Sequence, residues 1–137
     1  MKTGAAGFRE HEHTADWELE VWAPDLASLL EQAAEGMYAL AGMRLEPGPR
    51  QLHTLEVQAQ DAEGLLVQFL SELLFLAEGD GLGFEAFELH LAGNRLAAQM
   101  SGGAIASMEK EIKAVTYHRL KIRQSGDGLR VNIVFDV

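Results

Sequence analysis

Apolar and polar residues first alternate along Trp17-Glu18-Leu19-Glu20-Val21-Trp22-Ala23, the period of two that marks a half-buried strand. Pro24 ends that run. Asp25 is then placed to cap a helix, because Leu26, Leu29, Leu30, Ala33, Met37, Leu40 and Ala41 recur every three or four residues and Gly42 supplies a stop. Residues 44–50, with Pro47 and Pro49, read as a loop, and Leu55, Val57 and Ala59 alternating with Glu56, Gln58 and Gln60 predict a second strand. Asp61 opens a second helix whose Leu65, Leu66, Phe69, Leu70, Leu73, Leu74 and Leu76 form a broad apolar face ending near Glu78. A glycine-rich turn over 79–83 leads into a strand at 84–91, which Ala92-Gly93-Asn94 reverses into another at 95–101. Residues 102–110 read as a loop. Two long strands, 112–123 and 129–137, close the chain across a turn at 124–128.

Strand, helix, strand, helix and then four strands is not the strict alternation of a doubly wound fold. It predicts an α+β domain with two amphipathic helices packed on one face of a mainly antiparallel or mixed sheet of about six strands. At 137 residues the chain is one domain, 1–137, long enough to bury about two-thirds of its unfolded surface in a single core. Cysteine is absent, which excludes disulfides, thiolate nucleophiles and sulfur-held metals. No apolar run reaches about 18 residues, and Met1-Lys2-Thr3-Gly4-Ala5-Ala6-Gly7 lacks the apolar centre of a secretory signal, so a soluble, cytoplasmic protein without membrane contact is expected. A net charge of −10 repels phosphate backbones, which disfavours tight direct nucleic-acid binding and suits cation capture or a basic protein partner.

Candidate chemistry is sparse. The Gly79-Asp80-Gly81-Leu82-Gly83 run follows a helix instead of opening one, the reverse of a dinucleotide fingerprint, and no serine sits in a Gly-x-Ser-x-Gly elbow. His11-Glu12-His13 sets two imidazoles on one side of a strand, a spacing that could serve a metal-dependent enzyme given a third ligand. His53, His90 and His118 fall in predicted strands with no partner spacing and read as structural or exposed. The last strand carries Leu129, Val131, Ile133, Phe135 and Val137 on one face, so its end is expected to be held in the sheet, with Asp136 beside the carboxylate of Val137. Two such charges about 4 Å apart repel by roughly 4 kcal/mol at an effective dielectric of 20, a cost that a divalent cation would reverse.

Three segments in order, His13-Thr14-Ala15-Asp16, then Glu111-Ile112-Lys113-Ala114-Val115-Thr116-Tyr117-His118, then Phe135-Asp136-Val137, make the chain resemble the archease family from about Phe8 to Val137. That resemblance implies an α+β domain and a non-catalytic, cytoplasmic protein cofactor of RtcB-type RNA ligases. Such cofactors promote guanylylation and multiple turnover of the ligase in tRNA splicing and RNA repair. It further implies a divalent cation, Ca²⁺, Mg²⁺ or Mn²⁺, held by Asp16, Asp136 and Val137, an all-oxygen set that suits hard ions. His13, Thr14, Glu111 and Lys113 are candidates for partner or supporting contacts. The sequence departs from the family pattern at Trp17, where a smaller apolar residue is frequent, and at Ala106, where many members carry a histidine. A domain of this length has a radius of gyration of about 14 Å, so positions 16 and 136 can be neighbours if their strands pair. A general chaperone-like interaction module is the other non-enzymatic alternative.

Overall fold

A computed structural model describes residues 5–12 and 16–137, with the backbone alone described for Glu12 and Asp16. The chain runs through strands β1 (Gly7–Glu12) and β2 (Asp16–Ala23), helix α1 (Leu26–Ala41), β3 (Arg44–Leu45), β4 (Gln51–Gln58) and helix α2 (Ala62–Asp80). It continues through β5 (Leu82–Ala92), β6 (Arg95–Ser107), β7 (Ala114–Val115), β8 (Arg123–Ser125) and β9 (Gly128–Asp136). Both helices start and stop where local chemistry dictates. The carboxylates of Asp25 and Asp61 accept the backbone N–H groups of Ser28 at 2.8 Å and Gly64 at 2.7 Å, satisfying donors that a first turn leaves free. Gly42 and Gly81 end the helices in the left-handed region, both at φ 65°, where a side chain would be strained.

All strand pairing is antiparallel and falls in two sheets. In the first, the order is β1-β2-β9-β7, with β8 also on β9; in the second, β6 is flanked by β5 on one side and by β3 and β4 on the other. The core lies between the sheets and the helices. On the first sheet, Leu19, Val21, Val131, Ile133 and Phe135 are buried against α1, which inserts Leu29, Leu30, Ala33 and Met37. On the second, Val57, Phe84, Leu96, Ala98 and Met100 are buried beneath Leu65, Leu66, Phe69, Leu70 and Leu73 of α2. Each large side chain sealed this way contributes about 1.5–3 kcal/mol, so the two helices bind the sheets into one body.

The α+β class, the two capped helices and the antiparallel strands match the pattern of the sequence, while the strands divide between two sheets. Other boundaries differ. A strand, β1, precedes the first predicted one, and β3 occupies the start of the expected loop at 44–50. The expected loop at 102–110 is strand as far as Ser107, because Gly102 permits close approach of β5 across the ladder. The register there shifts between Phe84 and Ala86, and that bulge lets Phe84 and Phe87, three residues apart, both turn inward. The expected long strand over 112–123 is instead β7 and β8 separated by an irregular connector. Its buried Ile112 and Val115 are three apart, which no strand period satisfies. A turn from Leu120 N–H to Tyr117 O, with Arg119 at φ 51°, removes His118 from any strand. Gly79, expected in a turn, lies inside α2.

A β-carbon on Gly102 would run into the Gly83 carbonyl oxygen and lie 2.8 Å from the Phe84 Cα, whereas one on Gly79 would meet nothing within 4 Å. Gly102→Ala should therefore lower the unfolding free energy in urea by about 1–3 kcal/mol. Gly79→Ala should raise it by about 0.5–1 kcal/mol through helix propensity alone.

Candidate functional site

The strand register arranges the outer face of the first sheet in rows. Trp22 of β2 is paired with Arg130 of β9, which faces Arg123 of β8; next, Arg9, Glu20 and Asn132 line up, then His11, Glu18 and Val134. The last row of the same pairing sets Asp16 directly opposite Asp136, with Ala114 of β7 on the far side of Asp136. Positions directly opposite in an antiparallel pair share a face, and like charges so placed destabilise a sheet unless something balances them. The two ends of the described strands thus bring two acidic positions together.

The β9 side of this row is held firmly. The backbone N–H of Lys113 donates to the Asp136 carbonyl at 2.7 Å, and the N–H and hydroxyl of Thr116 both donate to the Val134 carbonyl, at 3.1 and 2.9 Å. Phe135, fully buried, anchors the strand from the opposite face, leaving the Asp136 side chain exposed and Val137 half-buried. The side chains of Glu111 and Lys113 are exposed, and both residues line a mostly apolar cleft of about 590 Å³ between the C-terminal ends of α1 and α2. Ala41 O closes one end of that wall by accepting from Glu109 and Lys110. His13 and Thr14 lie outside the described residues. Among the described side chains, which do not include that of Asp16, no group of three or more His, Asp or Glu is placed to hold a metal.

The remaining histidines are engaged elsewhere. His11 Nε2 lies 3.2 Å from Glu20 Oε1, and Arg130 and Arg9 converge on the same carboxylate. A further cation beside His11 would face two guanidiniums, which disfavours a metal enzyme built on it. His53 packs on Phe84 with ring centroids 5.5 Å apart, and exposed His90 faces Glu88 at 3.2 Å. The hydrogen bond from His11 is the largest influence holding the Glu20 carboxyl below its usual range, aided by Arg130 and Arg9, while burial opposes it.

Residues 8–137 match the Archease protein family (MTH1598/TM1083). The chain belongs to the archease family. It is 31% identical to the protein archease of Thermococcus gammatolerans, covering 88% of this chain and 91% of that one. It is 30% identical to that of Methanosarcina barkeri over the full length of both. Among solved structures it is similar to the crystal structure of an archease, described as a possible chaperone, from Thermotoga maritima. That match has a TM-score of 0.70 and 27% identity, over 94% of this chain and 96% of that one. The solution structure of protein 1598 from Methanobacterium thermoautotrophicum shares the fold, with a TM-score of 0.71 at 22% identity.

Both departures from the archease pattern have structural settings. Trp17 is half-buried and covered by Lys110, whose Nζ lies 4.3 Å from the ring centroid, a cation–π contact that ties β2 to the 108–113 segment. Ala106 is exposed near the end of β6, within the irregular β3 pairing and not in a loop. The sequence reading missed the Lys110 contact and the Glu20 cluster. The local signal for the cluster was the two-residue spacing of Arg9 and His11, while Glu20 and Arg130 join them only through strand pairing.

Because Glu20 has a lowered carboxyl pKa in the folded protein, its contribution to stability is full above the ordinary value of 4.5 and fades as pH falls through the lowered one. Unfolding free energies measured against pH should show Glu20→Gln less stable than the parent by up to about 1 kcal/mol above pH 4.5. The gap should close at lower pH.

Proposed function

We propose that this protein is a non-catalytic activator of an RtcB-type RNA ligase, acting in tRNA splicing and RNA repair through a divalent cation held at Asp16, Asp136 and a main-chain oxygen of Val137. The observation that carries this reading is the register that opposes Asp16 to Asp136 in a chain of the archease family. Two facing acidic positions fit a hard ion, since oxygen donors of this kind suit Ca²⁺, Mg²⁺ or Mn²⁺. When bound, the cation would neutralise the pair and fix its geometry.

The chain's own groups supply the positioning. Lys113 and Thr116 hold the backbone of β9, Phe135 anchors it in the core, and Asp136 is exposed at its end. The ligase would perform the chemistry, guanylylation and RNA joining. The acidic charge of the activator favours docking on a basic surface. The activator role requires no nucleophile of its own.

RNA joining by a cognate ligase at limiting enzyme tests the reading. Adding this protein should raise both guanylylation and the number of turnovers, and Asp136→Asn should lose the stimulation by about tenfold or more with an unchanged melting temperature. Absence of stimulation by the parent protein contradicts the proposal. Stimulation that survives Asp136→Asn would instead favour a general interaction module.

A further inference from the structure

The net charge of −10 is an average that one border of the first sheet does not share. From position 112 to 126 the chain has no Asp or Glu, yet this stretch carries Lys113, Arg119, Lys121 and Arg123. All four side chains are exposed, and none makes an ion pair among the described residues. The connector that displays them is anchored from below. Thr116 is bonded to Val134, the N–H of Ile122 donates to the Glu63 carboxylate at 2.9 Å, and Leu120 and Ile122 pack against the core. Its charges are therefore presented by a held loop.

β8 extends the same border onto the sheet face. Arg123 stands directly opposite Arg130, a like-charge pairing that costs stability and that no ion pair of Arg123 among the described residues relieves. Arg130 and Arg9 in turn lie over the Trp22 ring, 5.3 and 5.5 Å from its centroid. Glu20 balances these two arginines but not Arg119, Lys121 or Arg123, and the one acidic residue in the β8–β9 turn is Asp127. Tyr117, on the same connector, is 58% exposed although it is a large aromatic residue. Uncompensated cations alongside exposed aromatic and guanidinium planes form the combination that grips a single nucleic-acid strand, phosphates on the cations and bases on the rings.

We propose that this border, Tyr117, Arg119, Lys121, Arg123 and Arg130, is a docking strip for single-stranded nucleic acid. Binding there is weak and salt-dependent, because the rest of the surface is acidic and only a few phosphates are neutralised. An acidic protein segment would use the cations and leave Tyr117 idle, which is why a strand with bases is the better fit. The strip does not depend on the ligase reading, since it arises from residues away from the Asp16 and Asp136 row.

The test is fluorescence anisotropy of the full chain with a labelled oligouridylate across a salt series. The parent protein should bind in the micromolar range at low salt, with affinity falling steeply as salt rises. Arg119→Ala combined with Lys121→Ala should weaken binding about tenfold and make the slope of log affinity against log salt shallower by about 1.4, at about 0.7 for each lost phosphate contact. Tyr117→Ala should weaken binding about tenfold with the slope unchanged, because stacking carries no counterion release. Arg95→Gln, on the second sheet, should change neither. These exposed positions can be altered with folding intact, verified by unchanged thermal melts. No binding by the parent, an unaltered slope in the double variant, or equally tight binding of polyglutamate would overturn the proposal.

Discussion

The pairing of β2 with β9 is the constraint on which the rest depends. Eight residue pairs, from Asp16 with Asp136 to Ala23 with Leu129, join an early strand to the last one. Because the side-chain period of a strand is two, this one register decides both faces together. It turns Leu19, Val21, Val131, Ile133 and Phe135 toward α1, and it lines up charged and polar residues on the other side. A slip by one residue would put Glu20 on the same face as Ile133, burying the carboxylate with the core or exposing the isoleucine with the charge. The apolar face therefore fixes where the acidic row falls, and the site is a consequence of packing.

That outer face is electrically polarised along its length. Arg9, Arg123 and Arg130 gather at one end around Trp22, Glu20 and Glu18 occupy the middle, and the acidic pair of positions lies at the other end. The central carboxylates make ordinary structural contacts: Glu20 with His11, Arg9 and Arg130, and Glu18 Oε2 with Asn132 Nδ2 at 2.6 Å. What remains unbalanced stands at the two ends, and those ends carry the two interactions proposed for this protein. The second sheet and α2 support this arrangement from behind, through Glu63, which holds the connector, and through α1, which touches both sheets.

Local signals were legible where one residue type has one strong preference. Asp25, Gly42 and Asp61 marked helix ends, while the second helix runs past the expected stop near Glu78 to Gly81, and the alternation in β2 and β9 gave their inward faces. The acidic pair could be found from the strand ends together with the family resemblance. The rest depends on tertiary contacts that leave no local mark. The continuation of β6 past Gly102 depends on how closely β5 approaches there, and the glycine pair alone suggests a loop. The 112–123 stretch is rich in residues that strands favour, yet the bonds to Glu63 and Val134 and the turn at Arg119 break it into pieces. The division into two sheets is likewise a matter of which strands pair, and periodicity does not record the choice of partner.

Paramagnetic Mn²⁺ titration, followed by the line widths of backbone amides, tests most directly whether the paired chain ends form one cation site. The account predicts that the amides of Trp17, Lys113 and Val137 broaden first, together and at the same metal concentration, because the register gathers them around one row. Broadening centred on Glu78 and Glu111 at the cleft, or spread evenly over the acidic surface, would contradict it.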